Sequence, residues 1–292
     1  MPLNRIGAGP RAAPLVLVLG TNEIASSVAI RLNRIGHAVI LAHDPHPPVI
    51  RRGMAFHDIL FGEDVQVDGI GAEPVEQGRD LLTFADGPAR IGITRLGFVD
   101  LCPFAAFDVL IDARMNKYAV IPDLRHLAAV TVGLGPGFEI GRNCDVAVET
   151  RPGRNGELVT EGATAAADGR SNPLGGLGRE RFVYSAGPGR WRTSFEIGMR
   201  VYRGMVVGHL AGLPVAAPLD GVLRGLVRDD TEVAGHVKLL EIDPRSRWQA
   251  AWRGTDERGR TIADATAAAL MRHRLAIGAG PSGRRDGRTL GG

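Results

Sequence analysis

The run PLVLVLG at residues 14–20 constrains the fold more than any other stretch of the chain. Successive side chains of a strand point to opposite faces, so five aliphatic residues in a row need apolar cover on both sides. Such a strand belongs inside a parallel sheet with helices packed on each face. The segment TNEIASSVAIRLNRIG follows, setting Ile24, Val28, Ala29 and Leu32 at helical spacing and stopping at Gly36. HAVILAHD is then a second apolar strand, and DVLIDAR at 108–114 and AAVTVGLG at 128–135 read as later strands of the same sheet. Strand and helix in alternation over 14–145 predict a parallel α/β domain.

Downstream the rhythm changes. Residues 146–195 are rich in Gly, Asn and Arg with few periodic apolar positions, and read as a connector with irregular strands. From 196 to 253, short β-branched runs are cut by Gly and Pro at close intervals, as in a small barrel of short strands. This stretch resembles the barrel-sandwich hybrid fold of biotinyl and lipoyl carrier modules, while the first domain is Rossmann-like. Carrier modules hold their modified lysine at a hairpin tip, here Ala211, Gly212, Leu213 and Pro214, yet the chain's lysines are Lys117 and Lys238 alone. The resemblance therefore implies a module without covalent biotin or lipoate, serving as scaffold or binding surface. A C-terminal helix is expected over 254–276, a disordered tail over 277–292 and a flexible N-terminus over 1–13.

At 292 residues there is ample chain for two cores. Apolar runs such as 14–19 and 206–210 fall far short of the roughly 20 residues that span a bilayer, so no membrane association is expected and the chain reads as cytoplasmic. The net charge is +3, and 33 of the 35 basic residues are arginine, scattered along the chain. With aromatics at 5%, no stripe of basic and aromatic residues forms, and nucleic acid is not an expected partner. The arginine bias reads as the mark of a GC-rich genome. Two cysteines, Cys102 and Cys144, make neither a disulfide framework nor a metal set, and the eight histidines show no ligand pattern. No nucleophile elbow, CxxC or P-loop is present, so no catalytic residue is assigned.

The candidate ligand-binding residues sit where strands of the sheet end. After the first strand, Gly20, Thr21, Asn22 and Glu23 open a helix whose N-terminus could face a pyrophosphate. Gly20 is the sole glycine of that turn, which leaves a Rossmann-like scaffold without nucleotide as the competing reading. Asp44 stands where a ribose-binding acid is expected, or else begins the turn at Pro45, Pro47 and Pro48. Gly133, Gly135 and Gly137 form a second glycine-rich element, suited to an anion or a flat ligand or simply to a tight turn. Asp112 stands at the C-terminal end of the strand at 108–114 and Lys117 follows it. Glu149 reads as a solvated or arginine-paired acid, or else as a base or hydrogen-bond acceptor, Arg224 as an edge-strand charge or a bidentate donor, and Asp243 with Arg245 as a local ion pair.

GLGPGFEIGRNCDVAVET, APLDGVLRGLV and VKLLEIDPR, together with RRGMAFHDILFG at 51–62 and Asp112, Ala113 and Lys117 in DARMNK, resemble the YqeB-type family of selenium-dependent molybdenum hydroxylase system proteins. The motifs occur in one order and cover most of residues 15–270. GTNEIASS, RPGRNGEL and IADATAAAL depart from that pattern and mark a divergent member. The resemblance implies an accessory role in maturing a molybdenum-cofactor hydroxylase-type enzyme, with a cofactor, nucleotide or client protein bound. A client enzyme or partner subunit is the expected partner, with a small-molecule ligand and homo-oligomerisation left open, and the cofactor is unknown, a nucleotide or pterin-type molecule being the class implied. Two alternatives stand beside it: an NAD(P)-dependent oxidoreductase, and a structural subunit that docks through the barrel module.

Overall fold

The computed structural model describes residues 11–117 and 120–278. In chain order the first unit comprises β1 (Leu15–Leu19), α1 (Glu23–Arg34), β2 (Ala38–Ala42), the hairpin β3 (Gln66–Val67) and β4 (Ile70–Gly71), and β5 (Glu73–Pro74). It continues through α2 (Gly78–Asp86), β6 (Ile91–Thr94), α3 (Phe98–Leu101), β7 (Val109–Asp112), β8 (Val130–Leu134), β9 (Val146–Val148) and β10 (Leu158–Val159). Except for the hairpin, its strands form one eight-stranded sheet in the order β10-β9-β8-β7-β1-β2-β6-β5. Every neighbouring pair is parallel except β9 and β10. β1 lies in the middle and is buried along its whole length, as the continuous apolar run requires. The strand order reverses there, β2 pairing on one side and β7 on the other.

The two faces of β1 feed two cores. Val16 and Val18 pack with Ile24, Val28 and Leu32 of α1, whereas Leu15, Leu17 and Leu19 pack with Leu81 and Phe84 of α2. The final helix, α4 (Glu257–Gly278), returns to the first unit: Ile262, Ala263, Ala267 and Leu270 join the α1 layer. Among the described residues no helix is long and apolar enough to cross a membrane.

Eight strands make up the second unit: β11 (Phe182–Tyr184), β12 (Gly189–Arg192), β13 (Arg200–Val201), β14 (Val206–Leu210), β15 (Leu213–Ala216), β16 (Gly221–Leu226), β17 (Thr231–Val233) and β18 (Lys238–Asp243). They pair antiparallel in two sheets, β11-β18-β16-β13 and β15-β14-β12-β17. Between the sheets lie Trp191, Leu223, Leu226, Leu240 and Ile242, and the Trp191 indole nitrogen donates to Val227 O at 3.1 Å, so its one polar atom is satisfied. The chain thus combines a large parallel-dominated sheet with antiparallel sheets.

Three sequence expectations differ from this architecture. The large sheet runs past residue 145, because β9 and β10 lie inside the stretch read as a connector; at three and two residues each they are too short to show periodicity against the Gly and Asn around them. β11 and β12, from the same stretch, belong to the second unit's sheets. The last helix begins at Glu257 and reaches Gly278, entering the span read as a tail, because Ala-rich turns continue the α1 contact. Residues 1–10 and 279–292, where the rest of the flexible terminus and tail were placed, lie outside the described residues.

At the hairpin joining β14 and β15, Ala211 and Gly212 both have positive φ, 50° and 81°. That is the two-residue turn whose twist matches the flanking strands, and it places an L-side chain in left-handed backbone. Ala211→Gly is expected to stabilise the protein by about 0.5–1 kcal/mol, read as a rise in thermal midpoint; an unchanged or lower midpoint would show that Ala211 is unstrained.

Candidate ligand-binding cleft

The crevice at the carboxyl ends of β1 and β7 is where an open parallel sheet binds ligands, because strand order reverses there. Its groups are already committed. Asn22 caps α1, its side-chain oxygen accepting from the amides of Ile24 and Ala25 at 3.0 Å while its amide donates to Ala113 O at 2.8 Å. The amides that would cradle a pyrophosphate therefore have a partner within the chain. Gly20, at φ 109°, lets β1 and β7 approach: a Cβ there would sit 3.0 Å from Ala113 O. Glu23 adds a carboxylate to the same helix end and pairs with Arg51 at 3.0 Å and Arg258 at 3.9 Å.

Thr21 is buried, its hydroxyl 2.9 Å from His57 Nδ1 and 3.4 Å from His43 Nδ1. Burial, with His43, Arg52 and Arg228 nearby, pushes the His57 imidazole down to about 3. Asp44 accepts from the His46 amide at 2.9 Å and lies 3.4 Å from Arg114, which grips Asp112 at 2.6 Å. Asp44 thus begins the turn into the prolines, one of its two expected uses. Asp112 also accepts from the Arg114 amide.

The second glycine element is closely packed. The Phe138 ring lies over Gly133, which leaves no room for a side chain there. Gly135 and Gly137 have φ of 104° and 89°, Gly135 lying against Met115 and Thr150 and Gly137 against Ile121. The space left between Asp112, Arg114, Ile121 and Phe138 is about 40 Å³, enough for a water molecule rather than a nucleotide.

The larger opening lies among the loops of residues 152–179. It has a volume of about 540 Å³ and is lined by Pro152, Gly153, Asp168, Gly169, Ser171 and Arg179 among others, a size that suits a small-molecule ligand. Lys117 stands next to it, feeling the charges of Arg258, Asp168 and Arg179. Arg179 lies over the Tyr184 ring, 4.7 Å from its centroid, and Tyr184 is the register partner of Lys238 on β18. Lys238 puts its ammonium 3.8 Å above the Phe182 ring and is close enough to Lys117 to feel its charge. Burial, then Arg51 and Lys117, lowers the Lys238 amine to about 7 against the opposing pull of Glu241 and Glu23.

Beneath the two lysines is a buried ionic cluster that joins the units. Glu241 is fully buried; Arg51 grips it at 2.6 and 3.1 Å, with Arg181 at 3.4 Å and Arg224 at 3.5 Å. Burial alone would raise this carboxyl, but Arg51, Arg224 and Arg181 outweigh it and hold it below the ordinary value. Arg224 reaches on to Asp256 at 2.8 Å. Four guanidiniums, those of Arg51, Arg181, Arg224 and Arg258, thus face three carboxylates, those of Glu23, Glu241 and Asp256. Lys117 and Lys238 add to the surplus, and the Nε atoms of Arg181 and Arg224 have no hydrogen-bond acceptor among the described residues. Among the described residues no group of three His, Cys, Asp or Glu is arranged to hold a metal ion.

Of the residues singled out from sequence, Gly20, Thr21, Asn22, Glu23, Asp44 and Asp112 cluster at the strand ends but are held by other residues of the chain, Asp44 and Asp112 sharing Arg114 and Glu23 pairing with Arg51. Gly133, Gly135 and Gly137 pack the neighbouring strand end, and Lys117 feels the charges of Asp168 and Arg179, which line the open cleft. Arg224 is not an edge charge: β16 lies inside its sheet, and Arg224 is buried in the cluster. Of its expected uses Glu149 takes that of hydrogen-bond acceptor and not that of a solvated or arginine-paired acid: it is buried and accepts from the amides of Thr150, Arg151 and Ala165. The Asp243–Arg245 pair forms, at 2.6 Å. Sequence reasoning missed Arg51, Arg179, Arg181, Glu241 and Arg258, whose partners are far away in the chain. The scarcity of lysine was the signal that could have marked Lys238.

No family model matches the chain. Among curated proteins it is similar to YqeB of Escherichia coli K12, an uncharacterized protein, with 28% identity over 266 residues that cover 90% of this chain and 48% of that one. The chain spans about half the length of the curated relative it matches. Two solved structures are also similar. One is a product-bound ectoine utilization protein, EutE (DoeB), from Ruegeria pomeroyi, at 13% identity and TM-score 0.25 over 81% of this chain and 87% of that one. The other is an aspartoacylase family protein from Mesorhizobium loti, at 10% identity and TM-score 0.24 over 81% of this chain and 86% of that one. Likeness at these TM-scores carries no conclusion about fold or chemistry.

Proposed function

From its similarity to YqeB over nine-tenths of its length as premise, we propose that this chain is a cytoplasmic accessory protein for a molybdenum-cofactor hydroxylase-type enzyme, and that it holds an anionic small molecule, a nucleotide or pterin-type cofactor, in the cleft beside Lys117. One observation carries the reading: cations outnumber carboxylates in the buried cluster, and Lys117 feels both Arg258 of that cluster and Arg179 of the cleft wall. Burying like charges without counter-ions is costly, and an anionic ligand relieves that cost directly. The first unit is read as a Rossmann-like scaffold and the second as a barrel-sandwich-hybrid module without a carrier lysine. Tyr202, Met205 and Leu213, exposed on its β13–β15 side, fit the docking of a client protein. The occupied amides at Asn22 weigh against an NAD(P)-dependent oxidoreductase.

Native mass spectrometry of the freshly purified full chain, followed by denaturing release, tests the proposal, with ATP titration of the apo protein beside it. ATP is expected to bind with marked salt dependence, and the Lys117→Ala/Arg179→Ala double variant to bind about 10–100-fold more weakly at an unchanged thermal midpoint. Absence of any released anion, together with equal ATP affinity in wild type and variant, would sink the reading. A co-purifying polypeptide in place of a small molecule would move the function to the second unit.

A further inference from the structure

In a chain with 33 arginines, a requirement for positive charge alone is met by arginine almost everywhere, yet the two lysines, 121 positions apart in sequence, come close enough to feel each other's charge. The link from Lys238 to the cleft is geometric: Lys238 is in register with Tyr184, Tyr184 carries Arg179 on its ring, and Arg179 lines the cleft. What lysine offers and arginine does not is an amine that can lose its proton and act as a nucleophile. Resting on the ligand-binding reading above, we infer that Lys238 captures the carbonyl group of an anionic aldehyde or ketone as a reversible imine, with Lys117 and Arg179 holding the ligand's anionic end.

The surroundings suit that step. The Lys238 amine is half-buried against an aromatic face, with Arg51 and Lys117 disfavouring its protonated form, so a large share of it is neutral at pH 7. Its nitrogen lone pair adds to the carbonyl carbon, the two protons on nitrogen depart with the carbonyl oxygen as water, and a C=N bond forms. No oxidant or reductant is consumed. The Arg181 guanidinium, 4.3 Å from the Phe182 ring centroid, helps keep that ring in place against the amine.

The test is reductive trapping on the full chain at pH 7 with glyoxylate as the aldehyde acid and cyanoborohydride as the reductant, read by peptide mapping. The carboxymethyl adduct is expected on Lys238 at least about 10-fold over Lys117 in folded protein, with the ratio falling to near one in urea. Lys117→Arg retains the charge and therefore retains labelling of Lys238, whereas Lys238→Arg abolishes it. Equal labelling of the two lysines in folded protein, or none on Lys238, would overturn the inference. If labelling fails while wild-type protein still binds ATP, the imine falls and the anion site stands; if labelling succeeds without ATP binding, the anion reading falls instead.

Discussion

Replacing Glu241 by alanine is expected to remove about 3–5 kcal/mol of stability, enough to leave much of the protein unfolded at 37 °C. Glu241 is wholly buried, and the guanidiniums of Arg51, Arg181 and Arg224 converge on its two oxygens. Deleting the carboxylate leaves three cations in a low-dielectric space with Glu23, Asp256 and the Arg245-paired Asp243 to answer them. The cost thus comes from the arginines left behind rather than from one lost contact. Urea denaturation of wild type and Glu241→Ala measures it. Adding Arg224→Met to the variant should restore part of the loss, because one orphaned charge goes with it. A loss below about 1 kcal/mol for Glu241→Ala would show that water reaches the cluster and screens it.

Acidification should weaken the fold through His57. Its imidazole is held at about 3 in the folded protein against an ordinary value of 6.5, so between those values the unfolded chain binds the extra proton and the folded one does not. The stability that neutral His57 contributes is therefore complete above pH 6.5 and is lost as pH falls toward 3. The loss is on the order of 2–4 kcal/mol, since each unit is worth about 1.4 kcal/mol and partial opening of the site relieves some of it. His43, Arg52, Arg95 and Arg228 surround the ring, and the three arginines remain charged throughout the window. Denaturation at pH 7.5, 5.5 and 4.5 should show a steep fall for wild type and a shallower one for His57→Phe, in which nothing titrates at that position. Parallel curves would assign the acid sensitivity to other groups.

The parallel sheet was legible in the sequence because its central strands announce themselves. LVLVL and AVILA have no polar interruption and VTVGL only Thr131, and each became a buried strand at the predicted place. β6, with only Ile91–Thr94 to show, and β9 with Val146–Val148 lack the length that makes such a run distinctive. The ligand-site residues were legible only as positions at strand ends. That Asn22 would fold back onto the amides of Ile24 and Ala25, closing the place where a phosphate would sit, depends on an acceptor at Ala113 that lies 91 positions away. The ionic cluster was less legible still, since Arg51, Arg181, Glu241 and Arg258 come from four separate segments and carry no spacing of their own. Lys117 was singled out from sequence, but Lys238 was not, because only the pairing of β18 with β11 sets it beside Tyr184 and Phe182.

Because α4 packs on α1 after the whole second unit has been made, the order of synthesis matters to this chain. The first α/β sheet emerges from the ribosome early, yet the apolar face of α1 that Ile262, Ala263, Ala267 and Leu270 cover stays bare until the last helix is released. The eight intervening strands close their core on Ile50, and the ionic cluster that Arg51 shares with them then fixes where α4 begins, through Asp256 and Arg258. A nascent chain stalled anywhere short of residue 270 would display that face to chaperones, so a translation pause within α4 would act on this protein as a destabilising mutation does on others.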